Sequence, residues 1–165
     1  MTRMLVFCAS LGIAAVAAPF ATAQDHSAGE RLTNTSEELE RRDQPVTEDD
    51  LRILVRANQI LSSPAVWNRH DTRECHDTDK TWSLFCALEK ASREVLKEYR
   101  HREVALQEVR FAIEDVTDGR QFEHRLRDYN NLADTQLADV KRVLTIATHR
   151  VRVRLEEQKK ANRSR

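Results

Sequence analysis

Apolar residues recur at helical spacing in several stretches of this chain, and the interval after the first stretch breaks the pattern. Leu51, Ile53, Leu54, Val55, Ala57, Ile60 and Leu61 cover more than half of a helical circumference. Arg52, Arg56 and Gln59 share the narrow remainder, so this helix is expected to be well buried. Thr47 can cap it, with Asp50 at the third helical position as in a capping box and Val46 and Leu51 placed as a hydrophobic staple. Ser62-Ser63-Pro64 ends it, because a residue before proline disfavours helix.

A second stripe predicts a helix from Thr78 or Asp79 to about His101, with Leu84, Phe85, Leu88, Ala91, Ser92, Val95, Leu96 and Tyr99 on one side. Trp82 and Cys86 fall off that stripe, one turn apart. An indole on a polar face needs cover. The preceding loop, Pro64 to about Asp79, is the simplest cover if a Cys75–Cys86 disulfide pins it, which leaves Trp67 free to pack near Trp82. A loop this long is uncommon in a compact domain unless it is functional or tied down.

Residues 104–116 carry two periods at once. As a strand, Val109, Phe111 and Ile113 alternate and Asp118-Gly119 offers a hairpin turn. That gives an α+β alternative with one β-hairpin over 104–128. As a helix, Ala105, Leu106, Val109, Ala112, Ile113 and Val116 share an arc of roughly 120°, and only Val104 and Phe111 stray. The helix formers here, and Gly119 placed to end a helix, favour the second reading. Arg120 to Tyr129 suggests a short helix carrying Phe122, Leu126 and Tyr129, and Asn130 to Asp134 reads as a polar break. A last helix, from about Thr135 to Gln158, carries Leu137, Val140, Val143, Leu144, Ala147, Val151 and Leu155. Ile146 and Val153 lie off its stripe and could form a second seam for another helix or a second copy. The expected fold is all-α: a small four-helix bundle-like domain, residues 47–158, with a long disulfide-stapled loop and a basic tail over 159–165.

The N-terminus changes the compartment. Arg3, the apolar run Met4 to Ala18 and Ala21-Thr22-Ala23 have the layout of a signal peptide over 1–23, cleaved before Gln24. The run is too short for a membrane span, and no second one follows, so no transmembrane segment is expected. The product would be exported to the periplasm or the extracellular space. Residues 24–46 are polar and are expected to form a flexible arm. Cleavage would remove Cys8 and leave Cys75 and Cys86, an even count that reads as a disulfide in an exported chain. Closing a loop of this length stabilises by roughly 3 kcal/mol in the chain-entropy model.

Acidic and basic residues balance, 27 against 27, which argues against a dedicated nucleic-acid binder. Neither C-x-x-C nor H-x-x-x-H occurs, and Cys75 and His76 are adjacent, so no metal site and no cofactor are assigned. No nucleophile elbow, glycine-rich phosphate loop or H-E-x-x-H is present. The remaining chemistry is a constellation of His70, Asp71, His124 and Asp128 as catalytic candidates. It would combine a histidine titrating near neutral pH with a carboxylate to orient it. Trp67, Arg69, His70, Arg73, Arg127 and Tyr129 are the binding candidates, since arginines can hold an anionic group bidentately. Both sets need the loop 67–79 to meet the segment 122–131. The alternative is a salt-bridge network that merely holds the loop in place. In architecture alone the chain resembles small bacterial envelope proteins such as periplasmic chaperones and inhibitor or immunity proteins. That likeness assigns no residue. The leading expectation is an exported interaction protein with a protein or envelope partner. A small hydrolase or lyase built from the two segments is the runner-up.

Overall fold

The structure, a computed structural model, describes residues 42–164. The expected leader, and the arm up to residue 41, lie outside the described residues. What is described is helical, in the order α1 (Glu48–Ile60), a 3-10 turn (Pro64–Val66), α2 (Leu84–Leu96), α3 (Val104–Val116), α4 (Arg125–Asn131) and α5 (Leu137–Arg163). The helix reading of 104–116 therefore holds, and the hairpin alternative is excluded. No helix among the described residues is long and apolar enough to cross a membrane.

α1 packs against α2, α5 and α3, while α3 packs on α5 and α4, and α4 also touches α2. The core follows the stripes: Ile53, Leu54 and Ala57 from α1, with Leu61 at its C-cap, meet Leu84, Leu88 and Ala91 from α2. Leu106, Val109 and Ile113 from α3 meet Val140, Val143, Leu144, Ala147 and Val151 from α5, all without solvent exposure. Val55, expected on the buried arc of α1, is 38% exposed. The stripe that α1 actually buries is narrower than its composition suggests.

Four boundaries differ from the sequence reading. α2 starts at Leu84 rather than near Asp79, because residues 66–68 and 82 spend their backbone groups on each other. Trp82 N donates to Val66 O at 2.8 Å and Asn68 N donates to Trp82 O at 2.9 Å, a single parallel bridge between Trp67 and Trp82. Trp82 thus precedes the helix instead of riding on it. Cys86, placed on a polar face by the longer helix, is buried. α2 also stops at Leu96, where Lys97 turns into the left-handed region at φ 64°. Asn130 and Asn131 belong to α4 rather than to a polar break, and α5 runs past Gln158 to Arg163. Phe111, which strays from the α3 stripe, is nevertheless buried at 5% exposure, with the Arg42 guanidinium 4.8 Å from its ring centre. Of the off-stripe pair on α5, Ile146 packs against the core, whereas Val153 is 41% exposed.

Asp50 ties two helices together. Its Oδ2 accepts from Thr47 N at 2.8 Å and from Thr47 Oγ1 at 2.7 Å, completing the expected capping box of α1. Its Oδ1 accepts from Ala105 N at 2.9 Å, satisfying one of the orphan donors in the first turn of α3. One buried carboxylate therefore serves two helix N-termini, and each suits its negative charge. Asp50→Ala is expected to cost roughly 2–3 kcal/mol, more than a single cap, because buried donors lose their acceptor at both helices. Asp50→Asn, which keeps acceptor capacity, should cost less. Urea unfolding at unchanged m-value measures both.

Candidate functional site

The loop that follows α1 has almost no regular structure, yet four devices fix it. Cys75 and Cys86 are bonded, with Cα atoms 5.4 Å apart, which ties the loop's far half to the first turn of α2. The Trp67–Trp82 bridge closes its two ends. Asn131 brackets Asp71: Asp71 N donates to Asn131 Oδ1 at 2.8 Å, and Asn131 Nδ2 donates to Asp71 O at 2.9 Å. The fourth device is Asn130, which is fully buried. Its Oδ1 accepts from Trp67 Nε1 at 2.9 Å and from Leu84 N at 3.0 Å. Its Nδ2 donates to Asn68 O at 3.0 Å and to Asn131 Oδ1 at 3.1 Å. A carboxamide can make four such bonds, and all four are made. Leu84 N is an orphan donor of α2, and Ser83 Oγ caps Cys86 N beside it, so the start of α2 is satisfied from two sides.

The loop and the segment 122–131 therefore meet, but not all of the candidates meet with them. Trp67 is held through its indole nitrogen. Arg69 donates to Leu132 O at 3.1 Å and also to Ala133 O, so its guanidinium caps the end of α4. His70 is exposed, and its backbone N donates to Asn68 Oδ1 at 2.9 Å. Asp71 is buried. Its Oδ1 accepts from Arg73 N at 2.7 Å, while its Oδ2 has no hydrogen-bond partner among the described residues. That bond supports Arg73 in the left-handed region at φ 65°, an arrangement that costs a non-glycine residue roughly 1–2 kcal/mol. The outcome is that the Arg73 side chain reaches His124, with Nη1 3.2 Å from Nε2, and its guanidinium carbon lies 5.5 Å from the ring centre of Phe85. Asp128 faces the other way: its Oδ2 accepts from His124 N at 2.8 Å and its Oδ1 pairs with Arg127 at 2.7 Å. These interactions hold its carboxyl below the ordinary range despite the opposing effect of burial. Tyr129 is buried, and it lines a separate groove with Leu132, Asp139 and Arg142.

Beside the loop opens a cleft of about 410 Å³, within the size range of small-molecule sites. Arg73, His124, Arg125 and Arg127 line it from the loop and α4, as do Phe122 and Glu123. Arg110, Phe111 and Glu114 line it from α3, His101 from the α2–α3 connection, and Arg42 from the chain before α1. Some of these cations are spoken for. Arg42 pairs with Glu114 and Asp115 at 3.0 Å, Arg125 lies 3.7 Å from Glu114, and Arg127 pairs with Asp128. Arg73 and Arg110 have no carboxylate partner among the described residues. Arg110 donates to His101 O at 3.2 Å, and its other amino group lies 3.4 Å from His101 Nε2. Burial, with Arg125, Arg73 and Arg102 nearby, pushes Arg110 down to about 10, so it still carries its charge at neutral pH.

His101 completes this wall. Its Nδ1 is 2.9 Å from the Tyr99 hydroxyl, and Tyr99 stacks edge-on against Phe85 with ring centres 6.1 Å apart. Burial, then the charges of Arg110, Arg73, Arg102 and His124, hold the His101 imidazole below its ordinary 6.5. Burial pushes the Tyr99 hydroxyl up to about 12. Among the candidates from the sequence, only Arg73, His124 and Arg127 reach the cleft. Arg110 and His101 were not among them, since each reads in the sequence as one more charge or ring in a charged chain.

The paired cysteines remove the thiolates that a metal reading of this region needs. No protein-family model matches the chain, and no curated protein or solved structure is significantly similar to it.

Two predictions follow from this geometry. Asn130→Ala leaves the Trp67 indole, the Leu84 amide and the Asn68 carbonyl without their partner, and should cost roughly 3 kcal/mol or more. The near-ultraviolet circular dichroism of Trp67 and Trp82 should weaken as the far-ultraviolet helical signal persists. The second concerns pH. A folded state that resists charging His101 binds its proton later than the unfolded chain does, so stability contributed by this group is present above the ordinary imidazole value and is lost as pH falls through it. His101→Asn should therefore flatten the fall in stability as pH drops below the ordinary imidazole value, and NMR titration should find His101 itself titrating below 6.5.

Proposed function

We propose that this is an exported cell-envelope protein that works by binding, and that its presented surface is the outer face of the stapled loop. The observation that carries this reading is the contrast between the loop's backbone and its side chains. The backbone is fixed by a disulfide, a bridge and two asparagines. His70, Thr72, Glu74, His76 and Asp77 nevertheless stand exposed. A segment ordered in advance loses less conformational freedom on association, so rigidity without burial of the side chains favours a recognition role. The cell-envelope setting is supported by the leader-like N-terminus and by the disulfide, which persists in oxidising compartments.

The hydrolase or lyase reading keeps one supporting observation, the meeting of Arg73 with His124. It is weaker because neither expected carboxylate orients an imidazole ring. Asp71 is bound to backbone, and Asp128 caps His124 through the amide rather than the ring.

A photo-crosslinking residue placed in the exported protein at His70 or at Asp77 should give one discrete adduct in cells. The same residue at Thr145, on the exposed side of α5, should give none. Joint replacement of Cys75 and Cys86 by serine should abolish the loop adduct while the helical signal remains. Equal labelling from all three positions, or none from the loop, would remove the loop face as the surface. Intact mass of the exported chain reads the other half of the proposal, with an N-terminus at Gln24 expected.

A further inference from the structure

We propose that the cleft between the loop, α3 and α4 is a binding site for a small molecule that carries an oxyanion, phosphate or carboxylate, on an aromatic or similarly flat apolar body. This goes beyond binding through the outer face of the loop, and it needs no macromolecular partner.

The charge argument comes first. Five arginines line the cleft against two glutamates, in a chain whose acidic and basic residues balance overall. The excess is therefore local. It is concentrated in Arg73 and Arg110, the two of these five without a carboxylate partner among the described residues. Arg73 is exposed, but Arg110 is desolvated among other cations, which is unfavourable in the empty protein, and an anion would remove that cost. Arg110 is anchored by its bond to His101 O, which aims the guanidinium without neutralising it. Arg73 is placed by a left-handed backbone and by the Asp71 side chain. Two guanidinium groups held in this way present planar forks of N–H donors, the geometry that recognises carboxylate and phosphate oxygens.

The walls supply the second half of the ligand's description. Phe85, Phe111 and Phe122 line the same cleft as the arginines. Arg73 lies over Phe85 and Arg120 over Phe122, at 5.5 and 5.3 Å from the ring centres. Phe85 and Phe111 are each only 5% exposed whereas Phe122 is half-buried, so the apolar body would rest chiefly against Phe122, with the oxyanion toward Arg110. The neutral His101 imidazole, fixed by Tyr99, adds a polar group at this end without adding a charge.

The test uses the mature full-length chain and three probes: inorganic phosphate, phenyl phosphate and benzoate. Binding is read by NMR chemical-shift titration at constant ionic strength, with sodium chloride as the control. Saturable shifts should gather at Arg73, Phe85, His101, Arg110, Phe122 and His124, and at least one ring-bearing probe should bind more tightly than inorganic phosphate. The ranking of phenyl phosphate and benzoate tells which oxyanion the site prefers. Two variants remove one cation each. Arg110→Met deletes an unneutralised charge, and Arg73→Gly suits the left-handed backbone, so neither is expected to lower the unfolding temperature appreciably. Each should weaken the best probe by roughly tenfold or more, the effect of losing one charge-assisted contact. A purely structural role for Arg110 would show the reverse: a lower unfolding temperature and unchanged affinity. Shifts that do not saturate, that spread over the basic last turns of α5, or that survive both substitutions would overturn the proposal. Its failure leaves the crosslinking result on the loop face untouched, and failure at the loop face leaves the titration untouched.

Discussion

A single buried carboxamide sets the shape of the part of this molecule that is not helix. Asn130 joins the indole of Trp67, the carbonyl of Asn68, the first amide of α2 and the side chain of Asn131, and no bonding position on it is left over. A buried polar group in this state is stabilising because each partner would otherwise be orphaned. It also specifies position, since moving the loop by one residue would leave the Trp67 indole and the Asn68 carbonyl unpaired. The disulfide adds a covalent limit farther along the loop. Together they turn what would be a long open connection into a wall for the cleft.

The helical core was largely legible in the sequence, for reasons that can be assigned to residues. α1 and α5 bury regular stripes, and the Thr47–Asp50 capping box stands where the sequence places it. In α3 the helical period prevails over the strand period because α5 and α1 cover the arc from Ala105 to Ile113. Misreadings occur where backbone groups find partners outside a helix. Lys80, Thr81 and Trp82 are compatible with helix, but Trp82 pairs with residues 66–68 instead, and Ser83 becomes the cap. Phe111 is off the stripe by angle yet buried, because Arg42 covers a side of α3 that periodicity assigns to solvent.

The candidate site was legible only in part. The disulfide could be expected, since an even cysteine count and a long loop both call for anchoring, but nothing in the sequence placed the loop against the segment around His124. Asn130 could not, because an asparagine beside another asparagine looks like a turn. Nor could the distinction between neutralised and unneutralised arginines. Arg42, Arg125 and Arg127 are indistinguishable from Arg73 and Arg110 in composition, and only the positions of Glu114, Asp115 and Asp128 separate them. The sequence lists charges, and the fold decides which of them cancel.

The span of the Asn130 tie has a consequence for how the chain reaches this state. Bonds within a helix are local, but the bond from Trp67 to Asn130 links positions 63 residues apart, and the packing of α1 on α5 spans more still, with Lys141 bonded to Asn58 across 83. Contacts of such separation carry a larger closure entropy and form late relative to local ones. The helices can thus form individually while the loop is still loose and both indoles are wet. Helical ellipticity and tryptophan emission then report two successive events, and the interval between them is the time the chain spends with its helices formed and its cleft still missing a wall.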